Sequence, residues 1–507
     1  MNESLQILNG AIQLVLPEAV LLATVCVIFF AAPFLVSERG EAPEGLRRRW
    51  GWLSLFALLI AGWIGFNAGP HPHTTGPFVA DGLTLFIRCL SIVTGAVLVL
   101  LNWNQADDSR SAECHACLLS ILAGVNLVAA ANDLIGLFVA LELISIPTYL
   151  FLLLPRRDAP AQEATLKYFL LSIFSSAIVL FGLSYLYGAT GTTNLMAIHQ
   201  AFAQGGNLPS NPLIAVATVM LIAGLGFRLT AVPFHFYAPD VFQGAQPSAA
   251  AMLSFVPKVA GFVALLRLLV PAAAGETTMQ SWMMVPAATN VLWWLAVATM
   301  FTGNLMALLQ TDVRRLLAFS SVSHAGYMMV GLVVGMQGTQ QTSGISALLF
   351  YLAVYGVMTL GAFAVLIAAA RSNRRIESLD DLAGLSRTKP ALALVLSIFL
   401  FSLTGLPPTG GFLGKFNLFF AAWSQGTESS RWLACLLAAN AAIGAWYYLK
   451  LIGVMYLREP VDRSEDNRPM ETPSVVAAVA CVMGTVGLFF APGPLWNHIQ
   501  LLVGAIR

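Results

Sequence analysis

Long apolar stretches, each close to the length of a membrane-crossing helix, are the feature that most limits how this chain can fold. Only 10% of the residues are charged, against roughly 25% in an ordinary soluble domain. A helix needs about 20 apolar residues to cross ~30 Å of hydrocarbon. The pattern predicts an all-α protein that crosses a membrane about fourteen times. The fourteen predicted spans are residues 11–36, 52–68, 78–103, 114–131, 134–154, 164–187, 212–235, 248–270, 283–309, 316–336, 344–371, 391–422, 431–457 and 473–492.

The basic residues between the spans fall almost entirely on one side of the membrane. When the loops are assigned alternately to the two sides, 17 basic residues lie on one side, and only Arg431 and Arg507 on the other. An excess of lysine and arginine marks the cytoplasmic side. We therefore expect both termini to lie outside, which is the periplasm if the membrane is a bacterial inner (plasma) membrane, and an outer loop over residues 188–212.

Seven further basic residues lie inside the predicted spans. They are Arg88, Lys167, Arg228, Lys258, Arg267, Lys415 and Lys450. An ionisable group at mid-membrane costs at least ~2.5 kcal/mol, so several together need a reason. Three of them are near enough to a span end for the side chain to snorkel to the surface: Arg88, Arg267 and Lys450. Lys258 and Lys415 lie too deep for that.

Glu142 is the clearest mid-span carboxylate, and a lone carboxylate there would be neutral unless a cation lies nearby. We expect Lys167, on the following span, to be its partner. Glu18 and Asp81 lie nearer to span ends, and we expect both to be structural.

The seventh and twelfth spans carry proline and glycine beside a cation, in residues 224–235 (GLGFRLTAVPFH) and 403–416 (LTGLPPTGGFLGKF). Both residue types favour interruption of a helix, and exposed backbone at membrane depth is tolerated only inside protein or against water. A simple kink is the alternative for each span taken alone. Two broken helices five spans apart indicate two inverted five-helix repeats, spans 4–8 and 9–13, with an ion path between them. The expected divisions are residues 1–113, 114–270, 283–458 and 473–507.

Two histidines and one cysteine pair complete the set of candidate groups. His235 and His324 have side chains suited to proton relay near neutral pH, although a packing role is the alternative for each. His324 lies in a polar patch, residues 320–327 (SSVSHAGY). Residues 114–117 (CHAC) have metal-ligand spacing, but no second pair answers them, so we expect no metal site.

Three segments resemble signature segments of the antiporter-like membrane subunits of respiratory complex I. They are residues 141–147 (LELISIP), 232–245 (VPFHFYAPDVFQGA) and 311–327 (TDVRRLLAFSSVSHAGY). This family is related to the large subunits of multi-subunit sodium/proton antiporters, and the resemblance covers about residues 80–460.

Within the family, residues 167–171 (KYFLL), residues 238–242 (APDVF) and Lys415 favour the N-type subunits. The M-type subunit is expected to carry glutamate in place of that lysine. About fifteen residues follow the last predicted span, so the long lateral helix of the L-type subunit is not expected.

The resemblance implies a proton-translocating subunit of NADH:quinone oxidoreductase, an enzyme whose redox chemistry takes place in other subunits. No cofactor is expected in this chain, whereas NADH, flavin, iron–sulfur clusters and quinone are expected in the assembled complex. The implied partners are other membrane subunits and, through them, a peripheral redox arm, together with membrane lipids and no nucleic acid. The alternatives are a subunit of a sodium/proton antiporter, a subunit of a related membrane-bound hydrogenase and a structural scaffold.

The resemblance also implies roles for single residues along a proton path. Glu142 and Lys167 would form a pair, Lys258 would be the central lysine, and Lys415 would be the terminal lysine near the outer exit. The other candidates are His324 in the path and His235 as a further relay. Arg228 departs from the family, in which lysine is usual at that position. Since arginine effectively never deprotonates in proteins, we expect it to be a fixed countercharge.

Overall fold

The computed structural model describes residues 12–36, 42–68, 76–156, 158–203, 211–269, 286–336, 341–370, 376–460 and 471–505. Within those ranges the regular elements are helices, apart from three isolated β-bridges. Some of the basic residues predicted on the cytoplasmic side lie outside the described residues, and so does Arg507 of the opposite side. Those of the cytoplasmic side are Arg39, Arg157, Arg371, Arg374, Arg375, Arg463 and Arg468.

Fourteen helical segments correspond to the fourteen predicted spans. They are α1 (Leu16–Leu35), α2 (Leu46–Ala68), α3 (Gly82–Asn102), α4 (Ser111–Ala130), α5 (Leu134–Leu153), α6 (Ala159–Thr190), α7a (Pro212–Leu229) with α7b (Ala238–Gly244), α8 (Pro247–Leu269), α9 (Pro286–Leu308), α10 (Val313–Met336), α11 (Gln341–Ala369), α12a (Pro390–Thr404) with α12b (Gly410–Ser424), α13 (Glu428–Leu457) and α14 (Thr472–Phe490). Thirteen helices of the described chain are long and apolar enough to cross a membrane, and the twelfth span is divided into two shorter helices. The prediction of an all-α, multi-pass membrane protein is confirmed.

Besides a 3-10 helix (Leu379–Leu382) and a one-turn helix (Leu385–Thr388) before α12a, two longer helices of the described chain lie where the sequence predicted only loop or tail. Leu195–Ala203 forms a short helix inside the predicted outer loop, because Asn194 accepts a hydrogen bond from the Ala197 amide at its start (3.0 Å). Gly493–Ala505 forms a helix after α14. Its Trp496 ring packs on Phe350 of α11, with ring centroids 5.6 Å apart. The sequence prediction missed the first helix because the loop around it is rich in glycine. It missed the second because that helix lies close to the chain end.

Helices α8 and α10 form the centre of the bundle. Their apolar segments are completely buried, whereas those of α1 and α14 are only 28% buried and form part of the outer surface. The central position of α8 and α10 explains how they can carry polar side chains that never meet lipid.

Both broken helices end in the same local structure. Thr230 (φ +57°) follows α7a and Gly405 (φ +89°) follows α12a, both in the left-handed region. In each case the next amide bonds back to a carbonyl five residues earlier, at 2.8 Å in α7 and 3.0 Å in α12. Pro233 and Pro408, each three residues beyond its cap, follow cis peptide bonds. This C-terminal motif satisfies one carbonyl and ends the helix. The breaks predicted in the seventh and twelfth spans are therefore confirmed.

A second feature also occurs once in each half of the chain. Asp133, just before α5, forms an antiparallel bridge with Asn194 after α6, and Asp312, just before α10, forms one with Ser378 after α11. The two bridges lie five helices apart, so in alternating spans they lie at opposite membrane faces. Paired breaks and paired bridges are expected of inverted repeats. The domain boundaries given from the sequence stay a prediction.

Two arginines expected to snorkel are instead buried in ion pairs, so that prediction is wrong for them. Arg88 of α3 binds both carboxylate oxygens of Glu18 in α1 at 2.7 and 2.9 Å, with both side chains at most 3% exposed. Arg267 of α8 binds Asp81, the N-cap of α3, at 2.6 and 2.7 Å. Burial alone would raise the pKa of Asp81, but the Arg267 guanidinium lowers it below its usual value. Lys450 is exposed, as snorkelling requires.

The Glu18–Arg88 pair gives a test of the packing between α1 and α3. We expect Glu18→Leu to destabilise the protein by about 3–5 kcal/mol, because it leaves a buried guanidinium that cannot discharge. The double variant Glu18→Leu/Arg88→Met should recover most of that loss, since no charge remains. The measurement is the unfolding transition in detergent. A double variant no more stable than the single one would contradict this account of the pair.

Candidate functional site

Lys258 lies in the middle of α8 and its side chain is completely buried. Its ammonium group donates to the Ser321 hydroxyl of α10 at 2.5 Å. No carboxylate of the described chain lies within ion-pair distance of it. Within the described chain, one neutral hydroxyl is thus the only polar partner of a group whose burial as an ion costs several kcal/mol.

Lys415 lies in α12b and is solvated by the break in its own span. Its ammonium group donates to the carbonyls of Leu403 and Thr404, the last residues of α12a, at 2.8 and 3.0 Å. Those carbonyls have no helical partner, and they form the negative end of the helix dipole. The face of the Tyr327 ring lies 4.8 Å from the same nitrogen. The break therefore provides acceptors for a buried cation.

His324 lies in α10 and is held between two tyrosine hydroxyls. Its Nδ1 lies 2.5 Å from the Tyr351 hydroxyl of α11, and its Nε2 lies 3.0 Å from the Tyr448 hydroxyl of α13. The Tyr448 hydroxyl also hydrogen-bonds with Ser320. Both ring nitrogens therefore face groups that can either donate or accept a hydrogen bond. This arrangement fits a relay, and it also fixes the plane of the imidazole.

Glu142 and Arg228 form the charged group at the α5 side of the bundle. The Arg228 guanidinium lies 3.6 Å from the Glu142 carboxylate, and it donates to the Ser145 hydroxyl at 2.9 Å. The Ser176 hydroxyl of α6 donates to Glu142 at 2.5 Å. Arg228 also packs against α8, where a Cβ added at Gly261 would lie 3.4 Å from its own Cβ. The base of the Arg228 side chain thus contacts α8 at a position three residues, or about one helical turn, from Lys258.

The predicted pairing of Glu142 with Lys167 is wrong. The Lys167 ammonium contacts Asp240 of α7b and Glu163 of its own helix, each at 2.7 Å, and its side chain is 40% exposed. Lys167 lies only about two turns into α6, so its side chain reaches the surface beside α7b. Arg228 takes the place beside Glu142 that the sequence assigned to Lys167.

Asp240 is the centre of a charged cluster at the end of the broken seventh helix. It contacts Arg315 of α10 at 2.6 Å as well as Lys167. Burial alone would raise the pKa of Asp240, but these two cations lower it below its usual value. The cluster borders a cavity of about 390 Å³ on the arginine-rich side of the protein. Its charged lining residues are Arg156, Glu163, Lys167, Asp240, Arg314 and Glu377.

Two sequence candidates lie apart from these groups. His235 is half-buried in the break between α7a and α7b, and no hydrogen bond to Lys258, His324 or Lys415 is recorded for it. Residues 114–117 lie in α4 with both cysteines buried, and no set of three metal-ligating side chains occurs among the described residues. The relay role of His235 stays a prediction.

Sequence reasoning missed the hydroxyl groups between the titratable residues. The tyrosines at 351 and 448 each contact His324, and Ser321 contacts Lys258. The serine-rich patch before His324 was a signal for one of them. Isolated tyrosines in apolar helices give no such signal, because packing explains them equally well.

A comparison with known protein families gives a match over more than half of the chain. Residues 131–442 match the model described as NADH:quinone oxidoreductase/Mrp antiporter, transmembrane region. The chain belongs to this family. The resemblance found in the sequence is therefore confirmed.

Relatives and solved structures identify the same group of proteins. NADH-quinone oxidoreductase subunit N 1 of Solibacter usitatus is 35% identical, over 94% of both chains. Subunit N of Trichlorobacter lovleyi is 34% identical, over 90% of this chain and 91% of that one. A chain of respiratory complex I from Thermus thermophilus matches with a TM-score of 0.76 and 30% identity, covering 95% and 98% of the two chains. The Mrp complex from Dietzia shares the fold, with a TM-score of 0.78 at 21% identity.

Gly405 provides a test of the Lys415 site. A Cβ at Gly405 would lie 2.9 Å from the Lys415 Cδ, whereas Gly426 has a similar φ (+82°) with nothing within 4 Å. We expect Gly426→Ala to cost roughly 1–2 kcal/mol of stability from backbone strain alone. Gly405→Ala should cost the same and, in addition, displace the lysine. The measurements are the unfolding transition of each variant and its coupled activity, which is proton translocation driven by NADH:quinone reduction in the assembled complex. Equal activity in the two variants would contradict a steric role for Gly405 at Lys415.

Proposed function

We propose that this chain is the N-type, proton-translocating subunit in the membrane arm of a bacterial NADH-quinone oxidoreductase. The observation that carries the proposal is the pair of buried amines, Lys258 and Lys415, whose partners among the described residues are all neutral. NADH oxidation and quinone reduction take place in partner subunits that hold the flavin and iron–sulfur clusters. The chain lies in the plasma membrane with both termini on the outer side.

Protons pass along a row formed by Glu142, Lys258, His324 and Lys415. An amine with a single hydroxyl partner is poorly solvated when charged, and one beside two helix-end carbonyls is better solvated. A proton leaving Lys258 for Lys415 therefore moves to the better solvated amine. His324 and its tyrosines lie on α10, α11 and α13 between the two lysines, and water closes the remaining gaps. Such coupled groups titrate as a set.

The charged cavity beside Asp240 is the cytoplasmic entrance in this proposal. Its lining is polar and has both signs of charge, so it holds water at the end of the broken seventh helix. Lys167 acts there, at the mouth of the path, rather than beside Glu142. Lys415 lies toward the outer exit.

Neighbouring membrane subunits are the proposed partners on the α5–α6 face. Glu142 lies mid-way along α5 with 26% of its side chain exposed, among exposed apolar residues such as Val139 and Ile146. A carboxylate facing lipid at this depth is costly. A partner subunit that covers this face removes that cost and contacts the path directly.

A sodium/proton antiporter function is not favoured. Sodium sites need several oxygen ligands, as do those of other hard cations. The mid-span carboxylate Glu142 is already held by Ser176 and Arg228. The named relatives are subunits of NADH-quinone oxidoreductase.

The proton path is tested by neutral substitutions in the assembled complex. We expect Lys258→Ala and Glu142→Ala each to lower the rate of proton translocation by at least about tenfold, since a positioned proton-transfer group is typically worth roughly 10²–10⁴-fold. The rate of proton translocation and the rate of NADH:quinone reduction are both measured. Lys450→Ala, at an exposed lysine, is the control and should leave both unchanged. If both path variants keep the wild-type ratio of protons to electrons and the wild-type rate, the proposed path is wrong.

The fixed charge of Arg228 is tested by two substitutions. Arg228→Lys keeps a cation beside Glu142 and should keep most of the coupled activity. Arg228→Met removes the cation, leaves Glu142 without its countercharge, and should lower that activity severalfold. Proton translocation by reconstituted vesicles is the measurement. Wild-type activity in Arg228→Met would show that no charge is needed there.

A further inference from the structure

Four buried polar side chains form a hydrogen-bonded group beside Lys415. Asn304 of α9 donates to the Tyr327 hydroxyl of α10 at 2.9 Å and to the side-chain and main-chain oxygens of Asn440 in α13 at 3.1 Å each. The Tyr447 hydroxyl donates to the Asn304 carbonyl oxygen at 3.0 Å. All four side chains are at most 1% exposed. Gly444 leaves room for the group, because a Cβ there would lie 3.2 Å from the Asn304 oxygen.

The chemistry of its neighbours sets the orientation of the Asn304 amide. The main-chain carbonyl of Asn440 can only accept a hydrogen bond, so the atom facing it must be the Asn304 nitrogen. The Asn304 oxygen then faces Tyr447, which must donate. Tyr327 accepts from the nitrogen, so its own proton must point away from Asn304. The Asn304 amide therefore determines the direction in which the hydroxyls of Tyr327 and Tyr447 donate their hydrogen bonds.

A carboxamide also differs from the hydroxyls around it in what it can pass on. A hydroxyl or an imidazole can accept a proton on one side while releasing one on the other. A carboxamide is neither an acid nor a base in the physiological range, so it interrupts such a chain. The Tyr447 hydroxyl also hydrogen-bonds with Tyr448, which contacts His324, so the hydroxyl groups that lead from His324 through these two tyrosines end at Asn304.

We propose that Asn304 is a positioning residue of the proton path: its amide, anchored by Asn440, holds the Tyr327 ring beneath Lys415 and ends the chain of relaying hydroxyls. This inference rests on the proposed function, since it assigns Asn304 a role through Lys415. The Tyr327 ring has its face 4.8 Å from the Lys415 ammonium while its hydroxyl is bound to Asn304. Loss of the amide would free the ring to turn away from the amine.

The variant Asn304→Asp tests the electrostatic part of the inference in the intact complex. It has nearly the same shape but places a carboxylate behind Tyr327, where a negative charge favours the charged form of Lys415. The alkaline limb of the pH profile of coupled NADH:quinone reductase should move to higher pH. The control is Asn126→Asp in α4, which places a carboxylate at another buried asparagine, one bonded to Ser91 at 2.6 Å. A profile for Asn304→Asp that matches wild type, or an equal shift in Asn126→Asp, overturns the inference.

A second pair of variants tests the positioning part and does not depend on a buried charge. Asn304→Gln keeps a carboxamide, and Asn304→Leu keeps a similar volume without one. We expect Gln to retain about fivefold more coupled activity than Leu, the rate equivalent of one hydrogen bond. Equal activity in the two variants overturns the inference. If the proposed function itself is wrong, Lys258→Ala will translocate protons normally. That result separates failure of the proposed function from failure of the inference about Asn304.

Discussion

A charged side chain held at the depth of the hydrocarbon has only the protein to solvate it. The chain solvates its buried cations in two ways. Arg88 and Arg267 are each paired with a carboxylate through both of its oxygens. The partners that Lys258 and Lys415 have in the part of the chain that the structure describes are hydroxyl, carbonyl and aromatic groups. Discharging either arginine would strand a buried carboxylate. Either lysine can lose its proton without leaving an uncompensated charge, so of these four cations the two lysines are the ones suited to carry protons.

The two broken helices serve this solvation differently. In α12, the carbonyls freed by the break accept hydrogen bonds from Lys415. In α7, the Tyr237 hydroxyl binds the Phe227 carbonyl at 3.0 Å. The same backbone motif thus has a cation at one break and a neutral cap at the other. Arg228 needs no freed carbonyl of α7, because Ser145 and Glu142 already lie beside it.

The sequence predicted the features that depend on local pattern. Apolar length gave the spans, and proline with glycine gave the two breaks. Depth within a span identified Lys258 and Lys415. Partner choice was beyond its reach, because it depends on which helices pack together. Lys167 was therefore paired with the wrong carboxylate, and the partners of Arg88 and Arg267 were missed. The tyrosines around His324 were missed since apolar helices use tyrosine for packing as well.

In the proposed path, the arginine at position 228 determines how the protonation of Glu142 acts on Lys258. Because it cannot be discharged, Glu142 and Arg228 together carry no net charge when Glu142 is ionised and one positive charge when it is protonated. Arg228 packs against α8 one turn from Lys258. Protonation of Glu142 therefore adds a positive charge near Lys258 and favours release of its proton. In the same proposal, a partner subunit that covers the partly exposed Glu142 and changes its protonation would thereby drive proton release from Lys258.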